Sequence, residues 1–212
     1  LALMTYAEEF DCNINWVPLD NKLKYDLNEI SNRISKNTSM VFICNPNNPT
    51  GTMLGADELE DFCVSTSKKT CVFVDEAYYD YSINDGYPTM TKLVKDGHNI
   101  IVSRTFSKIY GLASLRVGWG YGSKKIIDAL NVIKPPFNVN GIAQLAASVS
   151  LKDKKFINKS IKHKSTDMPS MNTQFVKVLE QLESLMTKKG EHFRARAYQK
   201  AKEALSKLDL AK

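Results

Sequence analysis

Three short apolar runs without polar alternation, residues 41–44 (VFIC), 71–74 (CVFV) and 100–102 (IIV), constrain the fold more than any other feature of the chain. A strand with one wet face alternates apolar and polar residues. A run with no alternation, bounded by turn or polar residues, suits a strand covered on both faces of a parallel sheet. Between the first two runs, residues 56–69 place Leu59, Phe62 and Cys63 at helical spacing. That completes a strand–helix–strand unit, for which a right-handed crossover is expected. A fourth strand is predicted over 117–121, a helix over 124–133 that stops before Pro135 and Pro136, and an alanine-rich helix over 141–152. The alternation of strands and helices implies an α/β layer architecture, a mainly parallel sheet flanked by helices.

Ligands of open α/β sheets bind beyond the carboxyl ends of the strands. Three polar motifs fall there, one after each run: NPNNPTGT (residues 45–52), DEAY (residues 75–78) and RTFSKIYGLASLR (residues 104–116). An aspartate at the end of a buried strand, Asp75, is costly unless a cation meets it. A protonated ring nitrogen would serve, although Asp-Glu-Ala after a strand also reads as a helix N-cap. The Asn, Pro and Gly of the first motif equally suit a tight turn for steric reasons alone. Tyr78 by itself could be a core or interface aromatic, and Lys108 by itself a solvated lysine. The neighbourhood of Lys108 argues otherwise. A lysine just after a small hydroxyl residue, with an arginine eight positions on, suits a Schiff-base site for an aldehyde cofactor. Thr105, Ser107 and Arg116 would bind that cofactor's phosphate.

Together the three motifs resemble the large domain of pyridoxal-phosphate aminotransferases of fold type I, most closely the histidinol-phosphate aminotransferase branch, over residues 1–164. The resemblance implies pyridoxal 5'-phosphate as cofactor, an amino donor and a keto acid as substrates, and a homodimer in the complete enzyme. It also implies roles. Asp75 meets the pyridine nitrogen, Asn48 and Tyr78 donate to the phenolic oxygen, and Thr105, Ser107 and Arg116 hold the phosphate. Lys108 bonds the cofactor and later shuttles the substrate proton. Asp75, Tyr78 and Lys108 are then the catalytic residues. Gly111 suits the turn between lysine and arginine, whereas Ser114 stands where the family usually has glycine. The ring-stacking aromatic, the upstream glycine loop and the small C-terminal domain of the family are expected to be missing, so turnover by this chain alone is not expected. A decarboxylase of a phosphorylated amino acid uses nearly the same motifs and is the nearest rival.

Composition sets the remaining expectations. The 212 residues hold four cysteines without CxxC pairing and three scattered histidines. Free thiols in a reducing compartment, and no metal site, follow from that pattern. No apolar run approaches the roughly 20 residues of a membrane span and no signal peptide is visible, so a cytoplasmic location is expected. The chain begins at Leu1 rather than Met, which suggests a missing start. Charge is uneven: residues 1–150 carry 14 basic and 16 acidic groups, whereas residues 151–212 carry 15 basic and 7 acidic, a net +8. A shift of this size suggests regions with different partners. Past a junction at 165–170, residues 171–212 read as a short all-α helical hairpin, with Phe175, Val178, Leu179, Leu182, Leu185 and Met186 on one face. Its FRARAYQKA core resembles the opening helices of the N-terminal domain of family X DNA polymerases, which binds the phosphate end of gapped DNA. That resemblance implies weak phosphate contacts through Arg194, Arg196 and Lys200. A solvated basic hairpin is the plainer reading. A natural DNA-binding fusion and a product of two joined genes remain the two origins for such a chain.

Overall fold

The computed structural model describes residues 2–83, 87, 89–166 and, beyond these, Ser184, Thr187 and Gln199, each of the three helical. The chain forms two compact units, Leu1–Asn158 and Lys159–Lys212. The expected hairpin at 171–212 and its three phosphate-binding candidates therefore lie outside the described residues, apart from those three positions.

The first unit is built on a four-stranded sheet in sequential order: β1 (Met40–Cys44), β2 (Cys71–Asp75), β3 (Ile100–Thr105) and β4 (Gly118–Gly122). β1, β2 and β3 run parallel, and β4 returns antiparallel to β3, so the sheet is mixed. All four expected strands are present, with β3 longer than expected because its polar end, Ser103–Arg104–Thr105, continues the ladder against β4.

Two-residue alternation explains both the core and the exposed face. Val41, Ile43, Val72, Val74, Ile100 and Val102 point to one face and are buried. Helices cover that face: their core contributions come from Ile30 of α2 (Leu27–Arg33), Leu59, Phe62 and Cys63 of α3 (Ala56–Thr66), and Leu93 and Val94 of α4 (Thr91–Lys95). On the opposite face Phe42 and Phe73, in ring contact at 5.6 Å, are half-buried, while Cys44 and Ile101 are buried. The expectation of strands covered on both faces is met at the start of β3, where Ile100, Ile101 and Val102 are all buried, and only in part at β1 and β2. Among the described residues, burial is deepest on the helix-covered face and partial over much of the other.

Helix starts follow local chemistry. Asp26 accepts from Glu29 N to cap α2, Ser123 from Ile126 N to cap α5 (Lys124–Ile133), and Asn140 from Ala143 N to cap α6 (Gly141–Ser150). α5 has the expected bounds, while α3 and α6 end earlier than the 69 and 152 expected. Helices α1 (Ala2–Glu9) and α7 (Lys154–Thr166) complete the set. A second, smaller core joins Phe106 and Val117 to Ala143 and Ala147 of α6. No helix among the described residues is long and apolar enough to cross a membrane.

All four cysteines are free: Cys12 is exposed, Cys71 half-buried, and Cys44 and Cys63 buried. Burial pushes the Cys44 thiol up from 9.0 to about 11 and the Cys63 thiol to about 12. Nearby carboxylates add to both shifts, Asp75 at Cys44 and Glu76 at Cys63. At neutral pH a two-unit rise leaves roughly 100-fold less of the reactive thiolate. A disulfide reagent at pH 8 is expected to modify Cys12 first, with Cys44 and Cys63 reacting only after denaturant is added. Peptide mapping of the labelled chain checks the order.

Candidate active site

The first loop is held before it can hold anything else. Asn45 is buried and its Oδ1 accepts from Leu54 N at 2.9 Å. Asn47 Nδ2 donates to Thr50 Oγ1 at 2.8 Å, and Gly51 takes the left-handed turn at φ +70° that favours glycine. The Asn45–Pro46 and Asn48–Pro49 peptides are cis. From upstream, Tyr25 Oη donates to Asn47 Oδ1 at 2.9 Å and accepts from Cys44 N at 3.2 Å. Burial pushes the Tyr25 phenol above its ordinary value. With its neighbours fixed, Asn48 stays exposed and donates through Nδ2 to Tyr78 Oη at 3.2 Å. The Lys108 ammonium lies 5.0 Å from the centre of the Tyr78 ring. Three residues singled out separately in the sequence, from three different loops, thus share one cluster.

A second cluster gathers the hydroxyls and the arginine. Thr105 Oγ1 accepts from Ser107 N at 3.0 Å, and Arg116 Nη1 reaches Ser107 Oγ at 3.4 Å. The antiparallel return of β4 makes this meeting possible: Phe106 N donates to Val117 O at 3.1 Å and closes the loop between them. Within it, Gly111 turns at φ +70° and Arg116 at φ 52°. Arg116 Nη1 also donates to Ala113 O at 2.7 Å, which orients the guanidinium.

Asp75 stands between the two loops at the end of β2, half-buried. Its Oδ1 accepts from Ala77 N at 3.1 Å and from Ser103 Oγ at 3.0 Å. The Ala77 bond spans two residues and caps no helix: the short helix that follows, Tyr79–Tyr81, starts from Tyr78, so the N-cap alternative for Asp75 is not met. The fully buried carboxylate is its neighbour instead. Glu76 has no exposed side-chain surface, and Arg104 meets its Oε2 through Nε at 2.9 Å and Nη2 at 2.8 Å. Thr89 Oγ1 and Met90 N donate to Glu76 as well, at 2.8 and 2.7 Å. Burial pushes the Glu76 carboxyl up, and the Met90 N–H and the Arg104 charge hold that rise back. Arg104 also stacks on Tyr79 at 3.7 Å and reaches Asp80 at 3.7 Å. Sequence reasoning passed over Glu76, Arg104, Ser103 and Tyr25. Strand period could have found the first two, since opposite charges stand one residue beyond Asp75 and one before Thr105.

The donor set suits a phosphorylated hydroxypyridine aldehyde: a carboxylate for a ring nitrogen, paired amide and phenol donors, hydroxyls with a guanidinium, and a free primary amine. Removal of the Glu76 carboxylate would leave Arg104 largely buried with only the more distant Asp80. Glu76→Ala is expected to destabilise the fold by about 3–5 kcal/mol in urea denaturation, and Glu76→Gln by less.

A family model described as aminotransferase class I and II matches residues 5–205. The match runs on past residue 164, where the sequence reading ended the pattern, and into the segment likened to a DNA polymerase. Histidinol-phosphate aminotransferase of Pelagibacter ubique is 53% identical over 144 residues, covering 68% of this chain and 40% of that relative. Histidinol-phosphate aminotransferase 2 of Bacillus cereus is 45% identical over 151 residues, 71% of this chain and 41% of the relative. The chain thus spans 40% and 41% of these curated relatives' lengths. The solved histidinol-phosphate aminotransferase of Sinorhizobium meliloti, in complex with pyridoxal-5'-phosphate, has a TM-score of 0.70 at 23% identity. It covers 87% of this chain and 49% of its own, a likeness that carries the fold.

Proposed function

The chain belongs to the aminotransferase class I and II family, and from that premise we propose that its first unit is the cofactor-holding part of a pyridoxal-phosphate-dependent aminotransferase acting on histidinol phosphate or a related amino compound. The observation that carries the reading is the convergence of Asn48, Tyr78 and Lys108 into one cluster. The gathering of Thr105, Ser107 and Arg116 into a second supports it.

When bound, pyridoxal 5'-phosphate supplies an electron-withdrawing ring that stabilises the charge left on the substrate's α-carbon once its proton departs. The residues of the chain do the rest. Asp75 offers a carboxylate to the ring nitrogen, and Asn48 and Tyr78 offer N–H and O–H donors to the phenolic oxygen. Thr105 and Ser107 take the phosphate as hydroxyl donors, and Arg116 as a planar cation. Lys108 would hold the cofactor through Nζ at its aldehyde carbon, and the same amine would hold and move the proton at the substrate's α-carbon. The complete enzyme is a cytoplasmic homodimer in this reading, supported by its family.

Titration of the 212-residue chain with pyridoxal 5'-phosphate is expected to give a visible absorbance band that borohydride traps on Lys108, located by mass spectrometry. Lys108→Ala should abolish the trapping; trapping on other lysines to the same extent would overturn the site. In a full-length enzyme carrying these residues, amino transfer from histidinol phosphate to a 2-keto acid measures the substrate assignment, whereas CO2 release from a phosphorylated amino acid would favour the decarboxylase.

For residues 171–212 we propose a weak nucleic-acid contact through Arg194, Arg196 and Lys200. The net +8 of residues 151–212 supports it, and the family match through residue 205 weighs against it. Binding to gapped duplex is expected to fall by roughly tenfold or more between about 50 and 200 mM salt, as phosphate-driven contacts do. No binding at the lower salt would leave a solvated basic surface.

A further inference from the structure

The period of the sheet divides the ends of β2 and β3 between its two faces. Asp75 and Ser103 are register partners and share one face; Glu76 and Arg104 fall on the other. On the first face Ser103 Oγ donates to Asp75 Oδ1, and Ala77 N donates to the same oxygen. Two donors on one oxygen restrict rotation of the carboxylate and so set the direction of Oδ2. Among the described residues no hydrogen bond is made to Oδ2. On the second face the Glu76–Arg104 pair, supplemented by Glu76 N donating to Ser103 O at 2.9 Å, keeps the two strand ends from sliding.

We propose that Ser103 is a positioning residue for Asp75: its hydroxyl fixes the carboxylate through Oδ1 and so presents Oδ2 to the nitrogen of a bound pyridine ring. The inference rests on the reading that Asp75 meets that nitrogen. Adjacent strands lie roughly 4.8 Å apart, a gap that a serine hydroxyl spans to a neighbouring carboxylate and an alanine methyl fills without a donor. Threonine keeps the donor at the same carbon. Ser103 is half-buried, so its loss would leave Ala77 N as the one protein donor to Asp75 among the described residues.

The test uses the full 212-residue chain and pyridoxal 5'-phosphate itself, with Ser103→Ala, Ser103→Thr and Asp75→Asn compared to the unaltered chain. Ser103→Ala is expected to bind the cofactor about five- to tenfold more weakly, the scale of one ordinary intramolecular hydrogen bond. The pH midpoint of the bound cofactor's visible band should move in the direction that Asp75→Asn moves it, and by less. Ser103→Thr should restore both. A merely structural serine would move the melting temperature and leave the midpoint in place, which overturns the proposal. So would Ser103→Ala matching the unaltered chain in affinity and midpoint while Asp75→Asn still changes the spectrum; in that case the site reading survives. Failure of the unaltered chain to be trapped on Lys108 overturns the site reading and this inference with it.

Discussion

The buried pair of Glu76 and Arg104 is the contact on which the rest of the site depends. A carboxylate without solvent must have every lone pair answered or the desolvation penalty goes uncompensated. Here two guanidinium nitrogens, a threonine hydroxyl and a backbone N–H answer it. These partners come from β3 and from the loop at Thr89–Met90, so satisfying one side chain ties three segments together. The chemistry-bearing residues sit one position away on either strand: Asp75 precedes Glu76 and Thr105 follows Arg104. The pair therefore sets the separation between Asp75 and Thr105 without bonding to either side chain.

The antiparallel fourth strand contributes the other half of the arrangement. Its return brings Arg116 back to Ser107 across a loop closed by Phe106 and Val117. That return requires close approach to β3. A Cβ on Gly118 would meet Arg104 O at 2.7 Å, a clash with backbone that no rotamer relieves. Trp119, the next residue, extends its ring over the Arg104 guanidinium at 5.4 Å. β4 thus packs against the backbone of β3 through its first residue and against the buried pair through its second.

Much of this was legible beforehand, for identifiable reasons. The runs at 41–44, 71–74 and 100–102 announced strands because a buried strand needs apolar side chains and tolerates little else. The loops after them suggested chemistry because Asn, Asp and Lys, each explicable alone as a turn, cap or surface residue, follow three strands in succession. Full burial falls to Glu76 and not to Asp75, since period-2 alternation sends neighbours to opposite faces and the sequence does not say which face is the more deeply covered. Helices α1, α2 and α7 were not read, being short or weakly periodic. The family match through residue 205 carries the aminotransferase pattern past residue 164, where basic charge and the FRARAYQKA likeness point instead to a second protein.

By itself the sequence determined the α/β class, the places of the four strands and the residue types offered at their carboxyl ends, because hydrophobic runs and donor chemistry are local properties. Tertiary structure alone decided which of those residues meet. Asn48 finds Tyr78 across 30 positions, and Ser103 finds Asp75 across 28. Such pairings follow from strand register and from which face a side chain takes, and register is settled only when the whole sheet packs.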